Sequence, residues 1–375
     1  MKYPQTSKKN KIILIISDLH LGAGVYYKGR RNPLEDFHHD NELIDFLNYY
    51  ANGENVELII NGDFLDFLAV PYVNYYDDEY WSEQACLEKL KIIMKAHSGV
   101  IEALFDFLNH GDKKIVYILG NHDAEFIIPH LQKYFLERIP EKNRDKFVFR
   151  IEQNTPYFPV KQLAIKHGHE FEYAHNFCEI GSVKLDEQGK NYFIPPWGSY
   201  YVTRVINKYK KERDFINQVK PIKVFILKGL FYDTFFTLRF LFSTCFYFFM
   251  VRFLEVVKKG INVKNAINKL KQELKLFQCL ESETDQFFDS HPGLEVLVVG
   301  HTHEAYLRYH GPNRFVMNTG TWTKMSFVGL GNESSGTKLT YGYIELVDGD
   351  IKHYLRRWKG VRSLPYENYC PRTSL

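Results

Sequence analysis

The fold is decided by Ile12-Ile13-Leu14-Ile15-Ile16-Ser17-Asp18-Leu19-His20-Leu21-Gly22. Five consecutive aliphatic residues are too few for a helix and show no polar alternation, so they read as a strand buried on both faces. A polar cluster follows at once. The same pattern recurs in Leu58-Ile59-Ile60 before Asn61-Gly62-Asp63, and in Ile115-Val116-Tyr117-Ile118-Leu119 before Gly120-Asn121-His122-Asp123. It appears twice more, in Leu163-Ala164-Ile165 before Lys166-His167-Gly168-His169 and in Val296-Leu297-Val298-Val299 before Gly300-His301-Thr302-His303. Helical spacing over residues 41–50 and 81–109 separates the early strands, so the chain alternates strand and helix as a layered α/β domain does. In open α/β sheets the functional crevice lies beyond the carboxyl ends of the strands. The five clusters are therefore expected to meet at one edge.

The pattern changes after residue 173. Pro195-Pro196-Trp197-Gly198 punctuates the chain, and Lys-rich, helix-like sequence runs to about residue 286 before strand patterning returns. The expected organisation is one α/β domain formed by residues 1–173 and 291–375, interrupted by a helical insertion at 174–290.

The 375 residues carry 48 Lys and Arg against 45 Asp and Glu, a formal charge of +3 that by itself argues for no particular partner. With 45% hydrophobic and 25% charged residues the composition excludes a disordered chain. The basic charge is local: residues 184–275 carry a net +11, leaving −8 on the rest. Cys86, Cys178, Cys245, Cys279 and Cys370 form no CxxC pair, so neither a thiolate zinc site nor a disulfide framework is expected, and a reducing cytoplasm is. Lys8 and Lys9 precede an apolar run too short for a signal peptide.

Collected in order, the clusters supply Asp18, His20, Asp63, Asn121, His122, His167, His301 and His303. Carboxylate, imidazole and amide oxygen together suit a divalent ion such as manganese, with iron or zinc as alternatives. A carboxylate can bridge two ions about 3.5–4 Å apart, and Asp63 is the candidate bridge. One histidine after a strand is usually a structural residue; five such clusters are not an accident of composition.

In order, Asp18-Leu19-His20, Gly62-Asp63-Phe64-Leu65-Asp66, Gly120-Asn121-His122-Asp123, His167-Gly168-His169 and Gly300-His301-Thr302-His303 resemble the DxH, GDxxD, GNHD, histidine and GHxH signature of the calcineurin-like metallophosphoesterases. The resemblance implies a four-layered α/β/β/α sandwich, with the later strands at residues 315–318 and 341–347 compatible with its second sheet. It implies one divalent ion held by Asp18, His20, Asp63 and His303, and a second held by Asp63, Asn121, His167 and His301. It further implies that His122 contacts the phosphoryl group and protonates the leaving oxygen, while Asp66 and Asp123 orient imidazoles. The reaction implied is attack on phosphorus by a hydroxide bridging the two ions.

The superfamily acts on many phosphate esters. The segments 167–176, 197–207 and 318–323 look like those of proteins similar to UDP-2,3-diacylglucosamine diphosphatase, although His122 stands where some of those carry Arg. The insertion adds a physical argument. Residues 231–253 include 11 aromatic residues, and Arg239 is the only charge between Asp233 and Arg252. The uncharged run of 12 residues at 240–251 falls short of the roughly 20 that span a bilayer. Aromatic sequence inside a basic region instead fits helices lying on an anionic membrane surface, the alternatives being a buried helix packed on the catalytic domain with its lysines solvated, or a dimer interface. The expectation is thus a lipid-linked phosphodiester or diphosphate as substrate, for an enzyme that is cytoplasmic and peripheral at the inner membrane face. A DNA nuclease of the same superfamily is the alternative, because Ser17–Gly22 and the GDxxD motif also occur in repair exonucleases; a non-catalytic scaffold is a third reading, disfavoured by the intact ligand set.

Overall fold

The computed structural model describes residues 10–72, 78–172, 174–185, 189–259, 280–328, 333–360 and 364–370. The deciding stretch forms the strand Lys11–Ile16 at the centre of a seven-stranded sheet. Val56–Asn61, Lys113–Ile118 and Phe147–Arg150 follow in parallel on one side. Thr340–Val347, Asp350–Trp358 and Tyr366–Asn368 add antiparallel strands on the other. A second sheet orders Tyr306–Tyr309, Phe315–Asn318, Val296–Val299, Leu163–Ile165 and Tyr157–Val160, its central three strands parallel.

The two-residue period of a strand sorts the side chains into layers. Ile13, Ile15, Ile59 and Val116 face inward and pack on Ile165, Val298 and Met317 of the second sheet. Ile12, Leu14, Ile16 and Leu58 face outward and are covered by Phe46, Leu90, Ile93 and Leu104 of the helices Asp40–Ala51, Glu83–Ala96 and Ser98–Phe107. On the far side Phe288, in the helix Leu280–Ser290, packs with Leu297, Val299 and Val316. The architecture is an α/β/β/α sandwich. Ser82 starts the second helix by accepting the Ala85 N–H at 3.2 Å.

One strand lies elsewhere than expected. Residues 341–347 belong to the first sheet, not the second: Ile344 pairs with Ile13 and Gly342 with Ile15. The cause is a tight turn at Asp348 (φ 53°) and Gly349 (φ 97°), which makes Thr340–Val347 one arm of a long hairpin. Gly342 also lets the sheets approach, since a Cβ there would meet Met317 Sδ at 3.1 Å.

The region expected to be wholly helical also carries a hairpin, Val183–Leu185 with Asn191–Phe193. The strand Val219–Lys220 in the same region pairs in parallel with Met325–Val328. Two helices follow, Ile222–Tyr232 and Thr234–Lys259. Residues 260–279 of the expected insertion lie outside the described residues. Among the described residues no helix is long and apolar enough to cross a membrane.

Candidate metal centre

Parallel pairing brings the five loops to one edge, and the backbone locks them together. Asp18 N–H donates to the Gly62 carbonyl at 3.1 Å and His20 N–H to the Asp63 carbonyl at 2.9 Å. The loops approach so closely that a Cβ on Gly120 would stand 2.1 Å from Asp63 Oδ1, and one on Gly62 would stand 2.3 Å from His167 Nδ1. The glycines of both motifs are required by this approach rather than by turn flexibility alone. Asp18, His20, Asp63, His301 and His303 all have φ between 51° and 65°. Left-handed backbone at a non-glycine residue is uphill, and such residues gather where a site over-determines them.

The candidate ligands converge. Asp18, His20 and His303 each offer a donor atom within 4.8 Å of the others, as do Asp63, His167 and His301, and likewise His20, Asp63 and His122. Asp63 Oδ2 is 3.2 Å from His167 Nε2 and 3.9 Å from His20 Nε2, so it stands between the two groups. Asp18 is fully buried, with Oδ1 at 3.5 Å from His303 Nε2 and 4.0 Å from His167 Nε2. Its carboxylate also accepts the His301 N–H, tying the first loop to the last.

The outer partners decide which nitrogen faces inward. His167 Nδ1 donates to the Asn61 carbonyl at 2.7 Å, leaving Nε2 as a buried lone pair with no hydrogen-bond partner. Asp66 divides its carboxylate, Oδ2 to His20 Nδ1 at 3.2 Å and Oδ1 to His122 Nδ1 at 3.0 Å. His20 Nε2 is then left facing His303 Nε2 at 3.0 Å. Asn121 Oδ1 is buried without a partner.

These orphaned atoms test whether the residues suit divalent ions, and they do. Buried polar atoms without partners are rare and costly, and here they are an imidazole nitrogen and an amide oxygen in a cluster with the buried carboxylates of Asp18 and Asp63, donor types that suit divalent ions. The charges agree. Burial works against positive charge at His167, yet Asp63 and Asp18 outweigh it and raise its pKa, so the two buried carboxylates make this pocket favourable to a cation. For Asp63 burial is likewise outweighed, by His167 and His122, and its pKa lies well below the ordinary value.

Asp123 differs from expectation. It touches backbone and a phenol rather than an imidazole, accepting from Phe64 N–H at 2.9 Å, Gly120 N–H at 2.6 Å and the Tyr117 hydroxyl at 2.7 Å. It braces the second and third loops. Burial and the nearby Asp63 raise its pKa to about 7.

Three residues went unassigned from sequence. Glu172 Oε2 lies 3.1 Å from His301 Nε2, so that the other ring nitrogen is the one left for the cluster. Burial raises the Glu172 pKa, but His301 outweighs it and brings the pKa down to about 2. His175, one turn later, meets Asn121 Nδ2 at 3.4 Å through Nδ1, and burial lowers its pKa to about 4. Their signal was the spacing of Glu172 and His175 on a single turn after His167-Gly168-His169. The third, Lys220, donates to the Thr302 carbonyl between His301 and His303, and no local motif announces it.

Solved structures to which the chain shows similarity include a dimetal phosphatase from Danio rerio, at 9% identity over 92% of this chain and 96% of that one, with a TM-score of 0.38. Another is a conserved uncharacterised protein from Streptococcus pneumoniae described as a predicted phosphoesterase, at 9% identity over 97% and 99%, with a TM-score of 0.30. Likenesses this distant carry no argument about activity. No curated protein matches the chain. The model of the calcineurin-like phosphoesterase family does match, over residues 12–305, which takes in every one of the five loops. On that match and the donor groups at its centre, the chain belongs to the calcineurin-like phosphoesterase family and is a metal-dependent phosphoesterase.

Proposed function

We propose that the protein holds two divalent ions, manganese in the first instance, and hydrolyses a lipid-linked phosphodiester or diphosphate resembling a UDP-diacylglucosamine at an anionic membrane surface. Asp18, His20, Asp63 and His303 would hold one ion and Asp63, Asn121, His167 and His301 the other. The ions, when bound, would lower the pKa of a water and neutralise phosphoryl oxygens. The chain's own residues supply orientation and a proton. Asp66 holds the Nδ1 edge of His122, leaving Nε2 for the leaving oxygen. Burial disfavours the charged ring, but Asp66 and Asp63 raise its pKa above the ordinary imidazole value, which favours the protonated form that a general acid needs. Asp123 and Glu172 position, through Gly120 and His301 respectively, and touch no reacting atom in this scheme.

The observation that carries the lipid reading is a solvent-exposed apolar stripe on the insertion. In the helix Thr234–Lys259 one face is covered: Phe236 and Phe240 pack on Val205, Tyr209 and Ile216. Along the opposite face Phe235, Leu238, Phe242, Phe246 and Phe249 recur at helical spacing and are all exposed, Phe235 to 78%. Leu227, Phe231 and Tyr232 of the preceding helix extend it. Exposed aromatic stripes of this size are contact surfaces, and the surrounding net positive charge favours an anionic lipid surface over a neutral partner. The cytoplasmic face of a membrane is the location we propose.

The test is phosphorus NMR of manganese-loaded protein with a lipid-linked sugar nucleotide in mixed micelles, beside a soluble diester and single-stranded DNA. Two monophosphate products from the lipid diphosphate, formed in preference to the other products, support the reading. Cleavage of DNA or the soluble diester alone overturns the lipid assignment and leaves the family membership intact.

A further inference from the structure

The insertion reaches the metal cluster through Lys220. Its strand Val219–Lys220 is hydrogen-bonded beside Met325–Val328, and Ser326 N–H donates to the Gln218 carbonyl at 2.8 Å. Just upstream, the buried Asp36 carboxylate accepts from Lys210 Nζ at 2.5 Å, Asn217 Nδ2 at 2.7 Å and Gln218 Nε2 at 3.0 Å. The root of Lys220 is therefore fixed on two sides, to the loop that follows the first metal motif and to the strand Met325–Val328 downstream of the last. Such fixing is what a side chain needs in order to present one atom reproducibly.

The ammonium group itself is incompletely matched. One N–H donates to the Thr302 carbonyl. Asp18, Glu172 and Glu304 act on it through charge, and its own charge acts on His303, so it stands beside the cluster. Among the described residues, none of these carboxylates reaches Lys220 within ion-pair distance. A half-buried lysine without a carboxylate partner is unfavourable by itself. Its arrangement is accounted for when an anion arrives with the substrate.

We infer that Lys220 is a substrate-binding residue delivered by the insertion, contacting the phosphoryl group next to the scissile one, which a diphosphate possesses and a simple diester lacks. This deepens the diphosphate reading above and rests on it. Lys220 donates hydrogen bonds to non-bridging oxygens of that neighbouring group, and no bond in the chain is made or broken. The insertion thereby serves twice, its outer stripe toward lipid and its root toward the diphosphate.

The experiment compares wild type, Lys220→Met and Lys220→Arg at a fixed free manganese concentration. Methionine keeps the stem's bulk and removes the charge; arginine keeps the charge. Binding of inorganic phosphate and of methylenediphosphonate, a diphosphate mimic that is not hydrolysed, is read from the concentration dependence of Tm. The expected result for Lys220→Met is a Kd about ten- to a hundredfold higher for the diphosphonate, the scale of a lost charge-assisted hydrogen bond. Phosphate binding should change less than about threefold. Bound metal per chain should equal that of wild type, and Lys220→Arg should recover most of the diphosphonate affinity. Equal weakening of both anions, unchanged diphosphonate binding, or loss of metal in Lys220→Met would each overturn the inference, the last by showing that Lys220 only props the Thr302 loop. Failure of wild type to cleave the lipid-linked substrate would sink the lipid reading separately, because the ratio of the two affinities does not depend on turnover.

Discussion

Replacing Asp66 by asparagine separates two duties that one carboxylate performs. In the wild type Oδ2 holds His20 Nδ1 and Oδ1 holds His122 Nδ1, and both imidazoles donate. An amide can accept from one ring but offers N–H to the other, so one imidazole must lose its partner. The charge is lost as well. Against burial, the His122 pKa is raised to about 9, and among the charges that raise it Asp66 is the largest. Each unit is worth about 1.4 kcal/mol between the two protonation states. Losing the largest of those charges therefore moves His122 back toward the ordinary imidazole range. The sign follows directly: a general acid works while protonated, so activity falls as pH rises through its pKa. In Asp66→Asn the alkaline limb of kcat should move toward neutral pH, and a limb moved from about 9 to about 7 lowers kcat at pH 8 about tenfold. Loss of the His20 partner should also weaken metal retention about 10- to 100-fold. The assay is a pH profile from 5.5 to 10 at saturating manganese, with metal content measured in parallel. An alkaline limb that stays put, or activity fully restored by excess metal, would refute the assignment of Asp66 as the group that keeps His122 charged.

Three further outcomes are expected. His122→Ala should retain wild-type metal content while turnover drops by about two to four orders of magnitude; turnover within a fewfold of wild type would remove His122 from the reaction. Asp63→Ala should lose metal outright, since Asp63 stands between both ligand groups, and a variant that still carries two ions by elemental analysis would exclude it as the bridge. Replacing exposed Phe235, Phe242 and Phe246 together by serine should leave Tm within a few degrees, yet weaken sedimentation with anionic vesicles about a hundredfold, taking about 1 kcal/mol for each partly inserted ring; unchanged vesicle binding would mean the stripe faces something other than lipid.

Much of the site could be read from the chain because it is written locally. Asp18 and His20, or His301 and His303, are two residues apart on turns whose backbone sits in the left-handed region, and the strand before each turn is a plain run of aliphatic residues. Asp66 was legible for the same reason, three residues beyond Asp63. The family resemblance implies Asp123, next to His122, as an imidazole partner, but its carboxylate turns back to the N–H groups of Phe64 and Gly120. Sequence proximity to a histidine does not set the direction of a side chain. The strand Thr340–Val347 was misplaced on similar grounds. Its composition suits either sheet, and only the turn at Asp348 and Gly349 together with pairing to Ile13 and Ile15 selects the first.

The insertion marks the boundary most clearly. Its charge, its aromatic density and its shortfall for a bilayer span are all countable in the sequence. Which aromatic residues are covered and which are bare depends on the register of one helix against Tyr209, and periodicity alone left that open. Lys220 is further still from local signals: Thr302 is 82 residues away, and the two meet because a two-residue strand pairs with Met325–Val328. The sequence by itself determined the strand order's grammar, the donor types and the family. Tertiary structure decided which imidazole nitrogen faces inward, which face of the insertion is exposed and which lysine reaches the cluster, because each of those depends on hydrogen bonds and packing between segments far apart in the chain.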